Sequence, residues 1–303
     1  MTTQQYRLIQ NWQEISTRSN FVEIAQMSTD KEAADKLNQL IAEYYFTEKI
    51  KCGISSCGTK HNRGYLVSLN DGNEIVIGNK CGEKFFGVEF KTQRKEMNQR
   101  RIHAEQYDRL KHAYENLDEL KARVNSVLEE TGILNFLKIR ESIQSLTQES
   151  NLIDFWMVAR IRSEISSNGA IYREIPKTKA EMAAERYMRN GIGRNGYINE
   201  IKRELVTSID GYEVVSRWYE AEDLKVWFER LFRDIRDPAG MSNDHFGKVI
   251  RLLNDFERKL NELRSFCSKG NALFKKDNLL KIQHAFYKDS EKQKFAKFAD
   301  QYA

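Results

Sequence analysis

The chain has 303 residues, with 49 Lys+Arg against 44 Asp+Glu, a formal charge of +5 at pH 7, 40% hydrophobic and 31% charged residues. That length supports a substantial core in one large domain or two ordinary ones, which excludes a peptide-sized or wholly disordered protein. The longest wholly apolar run, Phe155 to Ala159, is far short of the ~20 residues a membrane-spanning helix needs, and the start has neither the basic nor the apolar region of a signal peptide, so a cytoplasmic protein without membrane contact is expected.

Only Pro176 and Pro238 and 16 glycines interrupt the chain, and so few breakers predict long helices in a mainly α fold. Residues 1–48 read as an N-terminal helical segment, because Leu37, Leu40, Ile41, Tyr44 and Tyr45 recur at helical spacing and Thr29 with Glu32 suits a capping box. Residues 49–88 differ. Seven of the 16 glycines and two of the four cysteines fall between Gly53 and Gly87, with a third cysteine, Cys52, just before. Tyr65–Leu69 and Glu74–Ile77 have strand character around an Asp71-Gly72 turn, which predicts one β-hairpin.

Residues 89–175 read as long helices. Tyr107, Leu110, Tyr114, Leu117, Leu120, Val124 and Val127 step by three or four with one irregular interval. Residues 176–303 read as a helical C-terminal body with a basic tail. Within it lie an aromatic helix bearing Trp218, Trp227, Phe228, Leu231 and Phe232, a turn at Asp237-Pro238-Ala239-Gly240, and a regular stripe of Val249, Leu253, Phe256, Leu260, Leu263 and Cys267. Two such stripes predict coiled-coil-like helices packed on each other or on a partner chain.

Three cysteines within 30 residues, in a chain without a secretion signal, suit metal ligation better than disulfides. Cys52, Cys57, His61 and Cys81 make a Cys3His set, a standard structural zinc combination. A turn presents Cys52, Cys57 and His61, the hairpin reverses the chain, and Gly82-Glu83-Lys84-Phe85-Phe86 starts a helical turn that brings Cys81 back. Over residues 50–88 this arrangement resembles a treble-clef or zinc-ribbon-like finger, which implies one structural Zn2+. A closed four-ligand site has no open position for water; without His61 the site would open, and Glu83 would become an acid of interest.

Basic residues suggest the partner. Lys91, Arg94, Lys95, Arg100 and Arg101 follow the cysteine module directly, as a surface able to neutralise phosphates of DNA or RNA. Gly191-Ile192-Gly193-Arg194-Asn195-Gly196 has the G-x-G-x-x-G spacing but follows a helical stretch rather than a strand, so it reads as a loop between helices. There Arg186, Arg189 and Arg194 surround amides that could hold a phosphate at the start of the next helix. The tail from Lys269 has eight lysines and four acids interleaved with Phe274, Phe286, Tyr287, Phe295 and Phe298; aromatics so spaced suit a core as well as base stacking. Phosphate-loop, H-E-x-x-H and G-x-S-x-G motifs are absent from the sequence. The expectation is a non-enzymatic, zinc-containing binding protein for nucleic acid. The alternatives are a protein-interaction adaptor that uses the zinc module and the heptad helices, with a protein partner or a second copy joined through those helices, and an enzyme with a site that motifs do not reveal.

Overall fold

The computed structural model describes residues 6–27, 36–130, 132, 134–166, 168–191 and 199–302, without the side chains of 165, 166, 189–191 and 218. The Thr29–Glu32 capping box lies outside them. Contacts divide the chain into two compact units, Met1–His112 and Ala113–Ala303, and the described residues hold eleven α-helices and two small sheets, a mainly α protein.

The first unit is built on a four-stranded sheet. Its strands are β1 (Leu8–Ile9), β2 (Leu37–Lys51), β3 (Lys60–Leu69) and β4 (Glu74–Ile77), in that order, with β1 parallel to β2 and the rest antiparallel. A short helix α1 (Gln13–Ser16) follows β1, and α2 (Asn79–Glu115) follows β4. The hairpin of β3 and β4 is the expected one, with Gly72 at a φ of 89° in its turn.

The helical reading of residues 37–45 is corrected: this stretch is strand β2. Leu40, Ala42, Tyr44 and Phe46 are buried at period two, and aromatic and β-branched residues fill the segment, as a half-buried strand prefers. The misleading spacing has a physical source. Register shifts between Leu37 and Gln39 and between Leu40 and Ala42 insert extra residues into the strand, and each bulge moves the buried positions to the other face. Leu37 and Leu40 accordingly pack with Val67, Ile75, Ile77, Phe85, Phe86 and Phe90, whereas Ala42, Tyr44 and Phe46 pack with Ile9, Ile15, Leu66 and Val76. The sheet is covered on both faces, by α2 on one side and by the N-terminal segment with Trp12 and Phe21 on the other. Arg18 ties that segment down through a two-pronged ion pair with the buried Glu74.

Helix α2 breaks its regular geometry at Gly87, where φ is 54°, a left-handed value that favours glycine. Phe90, just past this kink, lies against the bare face of Gly82, where a Cβ would come within 2.3 Å of its ring.

In the second unit α3 (Leu117–Glu129), α4 (Phe136–Thr147) and α5 (Phe155–Ser166) are followed by β5 (Ala170–Pro176), α6 (Lys179–Gly191) and β6 (Ile201–Ser208). Then come α7 (Glu213–Ser216), α8 (Trp218–Asp234), α9 (Asn243–Leu273), α10 (Lys276–Leu280) and α11 (Asp289–Ala299), with the Pro238–Gly240 turn between α8 and α9. The regular stripe of the sequence is buried along α9, which packs on α3, α4, α7, α8 and α10 of its own chain. That stripe is therefore buried in a helical core of its own chain. The other stripe is not one helix: Asn116 leaves helical geometry between α2 and α3, and its α3 portion docks on α9, with Arg123 over Phe256 and paired to Glu257 at 2.7 Å.

Most of the Gly191–Gly196 stretch lies outside the described residues; on either side of it α6 ends at Gly191 and β6 begins at Ile201, pairing antiparallel with β5. Arg194 and the side chain of Arg189 lie outside the described residues. In the tail, Phe274, Phe286, Phe295 and Phe298 are buried and only Tyr287 of the five is exposed, so the aromatics serve the core.

Cys267 sits on α9 at 8% exposure, and burial raises its thiol to about 11. Native protein treated with a thiol reagent near pH 7 should leave Cys267 unlabelled for as long as denatured protein takes to label fully. Cys267→Ala should cost about 1 kcal/mol for the atom removed from the core. Rapid labelling of the Cys267 peptide would show that the thiol is accessible.

Candidate metal centre

Cys52 immediately follows β2, Cys57 lies in the loop to β3, and Cys81 is in the first turn of α2. The loop is closed by the Cys52 amide donating to the Thr59 carbonyl at 3.0 Å, and the Cys57 amide donates to Ile54 at 3.0 Å. Gly53 donates to Val76 of β4 at 2.7 Å, which fastens the loop beside the start of α2. As a result the three Sγ atoms all lie within 4.8 Å of one another, Cys57 and Cys81 at 2.7 Å, and all three cysteines are free. Among the described residues no other His, Cys, Asp and Glu side chains form such a group.

Three thiols so close in a half-buried site cannot all ionise alone. Burial pushes Cys52 and Cys81 up, while at Cys57 hydrogen bonds from Cys81, Thr59 and Cys52 outweigh burial and bring the thiol down to about 7. A bound divalent cation reverses this balance, because its charge stabilises several thiolates together. The sulfur cluster is thus able to hold a metal ion.

His61 lies near the cysteines but outside the 4.8 Å group. Its ring edges onto Gly78, where a Cβ would be 2.9 Å from Cδ2 and 3.3 Å from Nε2, and backbone hydrogen bonding from Gly78 also favours the Cys52 thiolate. Nδ1 is 2.8 Å from the Tyr44 hydroxyl, which is itself 3.5 Å from the Ile77 carbonyl. Nε2 is buried without a hydrogen-bond partner, and burial keeps the imidazole below its ordinary pKa, in the neutral form. If Tyr44 donates to Ile77 and accepts from Nδ1–H, Nε2 carries a free lone pair. Glu83 is held by Arg94 and Asn79 on the outer side of α2.

The basic residues separate into two sets. Lys91, Arg94 and Lys95 line a cleft of about 700 Å³ together with Asn79 and Asn98 of α2 and Arg63, Gly64 and Tyr65 of β3. Arg100 and Arg101 lie further along α2 outside it; Arg101 is paired to Glu105 at 2.7 Å and Arg100 to Glu96 at 4.0 Å. Sequence reasoning missed Arg63 and Tyr65. Period-two alternation along β3 was the available signal, since 63 and 65 share the face of the buried Val67 and Leu69. Tyr44, whose spacing suggests a helix, is missed as well. No helix among the described residues is long and apolar enough to cross a membrane. No family model matches the chain, and neither a curated protein nor a solved structure does.

Proposed function

We propose that the first unit is a zinc-stabilised module that binds nucleic acid. Cys52, Cys57 and Cys81 hold the ion, with Nε2 of His61 as fourth ligand, and the metal fixes the loop against the start of α2 in the manner of a treble-clef finger. With four protein ligands the role of the zinc is structural. The observation that carries the binding reading is the cleft beside this site, where Arg63, Lys91, Arg94 and Lys95 converge; among the described residues, Glu43 pairs with Arg63 and Glu83 with Arg94. Arg100 and Arg101 extend the basic face along α2.

Phosphate contacts release counterions, so affinity should fall steeply with salt, with a log–log slope of about −0.9 per contact on duplex DNA and about −0.7 on single strands. Changing Arg94, Lys95, Arg100 and Arg101 together to Ala should flatten that slope and weaken binding at low salt while zinc content and helicity persist. Parental binding by the quadruple variant would exclude this surface, and absence of binding to both DNA and RNA at low salt would exclude the function.

The adaptor reading retains one observation of its own. Phe155 and Trp156 of α5 stand exposed, and Tyr287, which shares a cleft with Trp156, lies under Arg160 at 3.7 Å. A partner protein that co-purifies stably and is lost with Trp156→Ala would favour it.

A further inference from the structure

We propose that the cleft between β3 and α2 takes one unpaired nucleotide of a single-stranded nucleic acid, with its phosphate against Lys91, Lys95 and Arg63 and its base on the ring of Tyr65. This rests on the nucleic-acid reading above and adds the strand form and the stacking residue. The cleft, at about 700 Å³, falls within the roughly 300–1,000 Å³ of pockets that enclose a small ligand. A duplex presents its phosphates on a convex rod with the bases stacked inside, so it can meet the rim charges but cannot place a base between a strand and a helix. An unpaired nucleotide can do both.

The lining has the chemistry such a unit needs, and much of it is held in place. Tyr65 is half-buried, and Phe90 fixes its ring edge-to-face at 5.4 Å and 84°. Arg63 is held at 2.7 Å by Glu43, a carboxylate only 5% exposed that also accepts from Tyr6 at 3.1 Å. Arg94 is bound to Asn79 and Glu83 and lies over the Phe90 ring at 5.8 Å. Lys91 and Lys95 remain exposed for a phosphate, while the side-chain amides are already engaged, Asn79 with Glu83 and Arg94 and Asn98 with Arg101. A positioned aromatic ring among cations is the pattern that binds single strands by stacking and charge.

The test uses full-length, metal-loaded protein and a fluorescein-labelled oligonucleotide of about 12 nucleotides, within the span such grooves occupy, as DNA, as RNA, and annealed to its complement. The single strand should bind at least about tenfold more tightly than the duplex. Tyr65→Leu should weaken single-strand binding by about five- to 150-fold, the range for losing one stacked base, and Tyr65→Phe, which keeps the ring, should recover it. Because the leucine variant also disturbs packing on Phe90, a second measurement uses the unaltered protein: a single strand carrying 5-iodouracil should photo-crosslink to the peptide containing Tyr65. Equal or tighter duplex binding, an unweakened leucine variant, crosslinks confined to other peptides, or full competition by a free mononucleotide at equimolar concentration would each overturn the proposal while leaving nucleic-acid binding in place. Failure of every oligonucleotide to bind would overturn both.

Discussion

The purified protein is expected to carry one zinc ion per chain, and Cys81→Ser to lose it. Cys52 and Cys57 belong to one closed loop, whereas Cys81 is the one cysteine of the group on α2. The size of the effect depends on what else holds the unit together. A freestanding finger lacks a core and unfolds without metal, but here Cys52 and Cys81 are embedded in a hydrophobic cluster with Ile54, Val67, Ile75, Phe85, Phe86 and Phe90. Loss of metal should therefore loosen the loop and the first turn of α2 before the sheet. By mass action, a site held at free zinc a thousand times its dissociation constant contributes about 4 kcal/mol to the first unit. Elemental analysis gives the stoichiometry. Hydrogen exchange after chelation should show lost protection at the amides of Cys52, Gly53 and Cys57, with α9 unaffected. Metal-free protein purified without chelator, or full zinc retention by Cys81→Ser, would remove the metal reading. Acid should release the ion as well, because the ligand thiolates must reprotonate.

What the sequence conveyed was governed by whether a signal was local. The cysteines, the Asp71-Gly72 turn and the α9 stripe are each specified within a few residues, and each is found where the spacing predicts it. Strand β2 was not legible because its bulges break period two into an imitation of helical spacing, and its pairing partner, β3, lies beyond the cysteine loop. The ribbon of β5 and β6 was missed for a similar reason: α6 separates its strands, and both are largely exposed, so neither shows the alternation of a half-buried strand.

The candidate site was legible in its cysteines but not in its setting. Lys91, Arg94 and Lys95 stood out as charges, yet nothing local to them shows that Arg63 and Tyr65, more than twenty residues earlier, complete the cleft. The tail from Lys269 is the converse. Its lysines and aromatics interleave in sequence, but helix geometry turns Phe295 and Phe298 inward, and the composition that suggests stacking on bases belongs to a packed core.

Gly64→Ala should be among the most damaging single substitutions in the first unit, and it should act on the metal as well as on the fold. Gly64 pairs with Tyr44 across β2 and β3. A Cβ there would lie 2.2 Å from the Ile77 carbonyl oxygen and 2.5 Å from the Tyr44 hydroxyl. The carbonyl is backbone in β4, and the Tyr44 ring is wholly buried and stacked on Phe46 at 4.9 Å, so neither neighbour yields cheaply. Overpacking of this kind costs about 3 kcal/mol, to be read as a shift in denaturant midpoint at unchanged m. The glycine is what lets the Tyr44 phenol cross β3 and reach Nδ1 of His61. Displacing that phenol frees the imidazole to rotate, and loss of such an orienting hydrogen bond typically weakens metal binding by about 10–100-fold. Tyr44→Phe separates the two effects: it keeps the ring and removes only the hydroxyl, so stability should fall by about 1 kcal/mol while zinc affinity, measured by competition with a chromophoric chelator, falls as far as in Gly64→Ala. Parental zinc affinity in Tyr44→Phe, with His61→Ala equally unaffected, would remove His61 from the ligand set and leave a three-cysteine site with an open position.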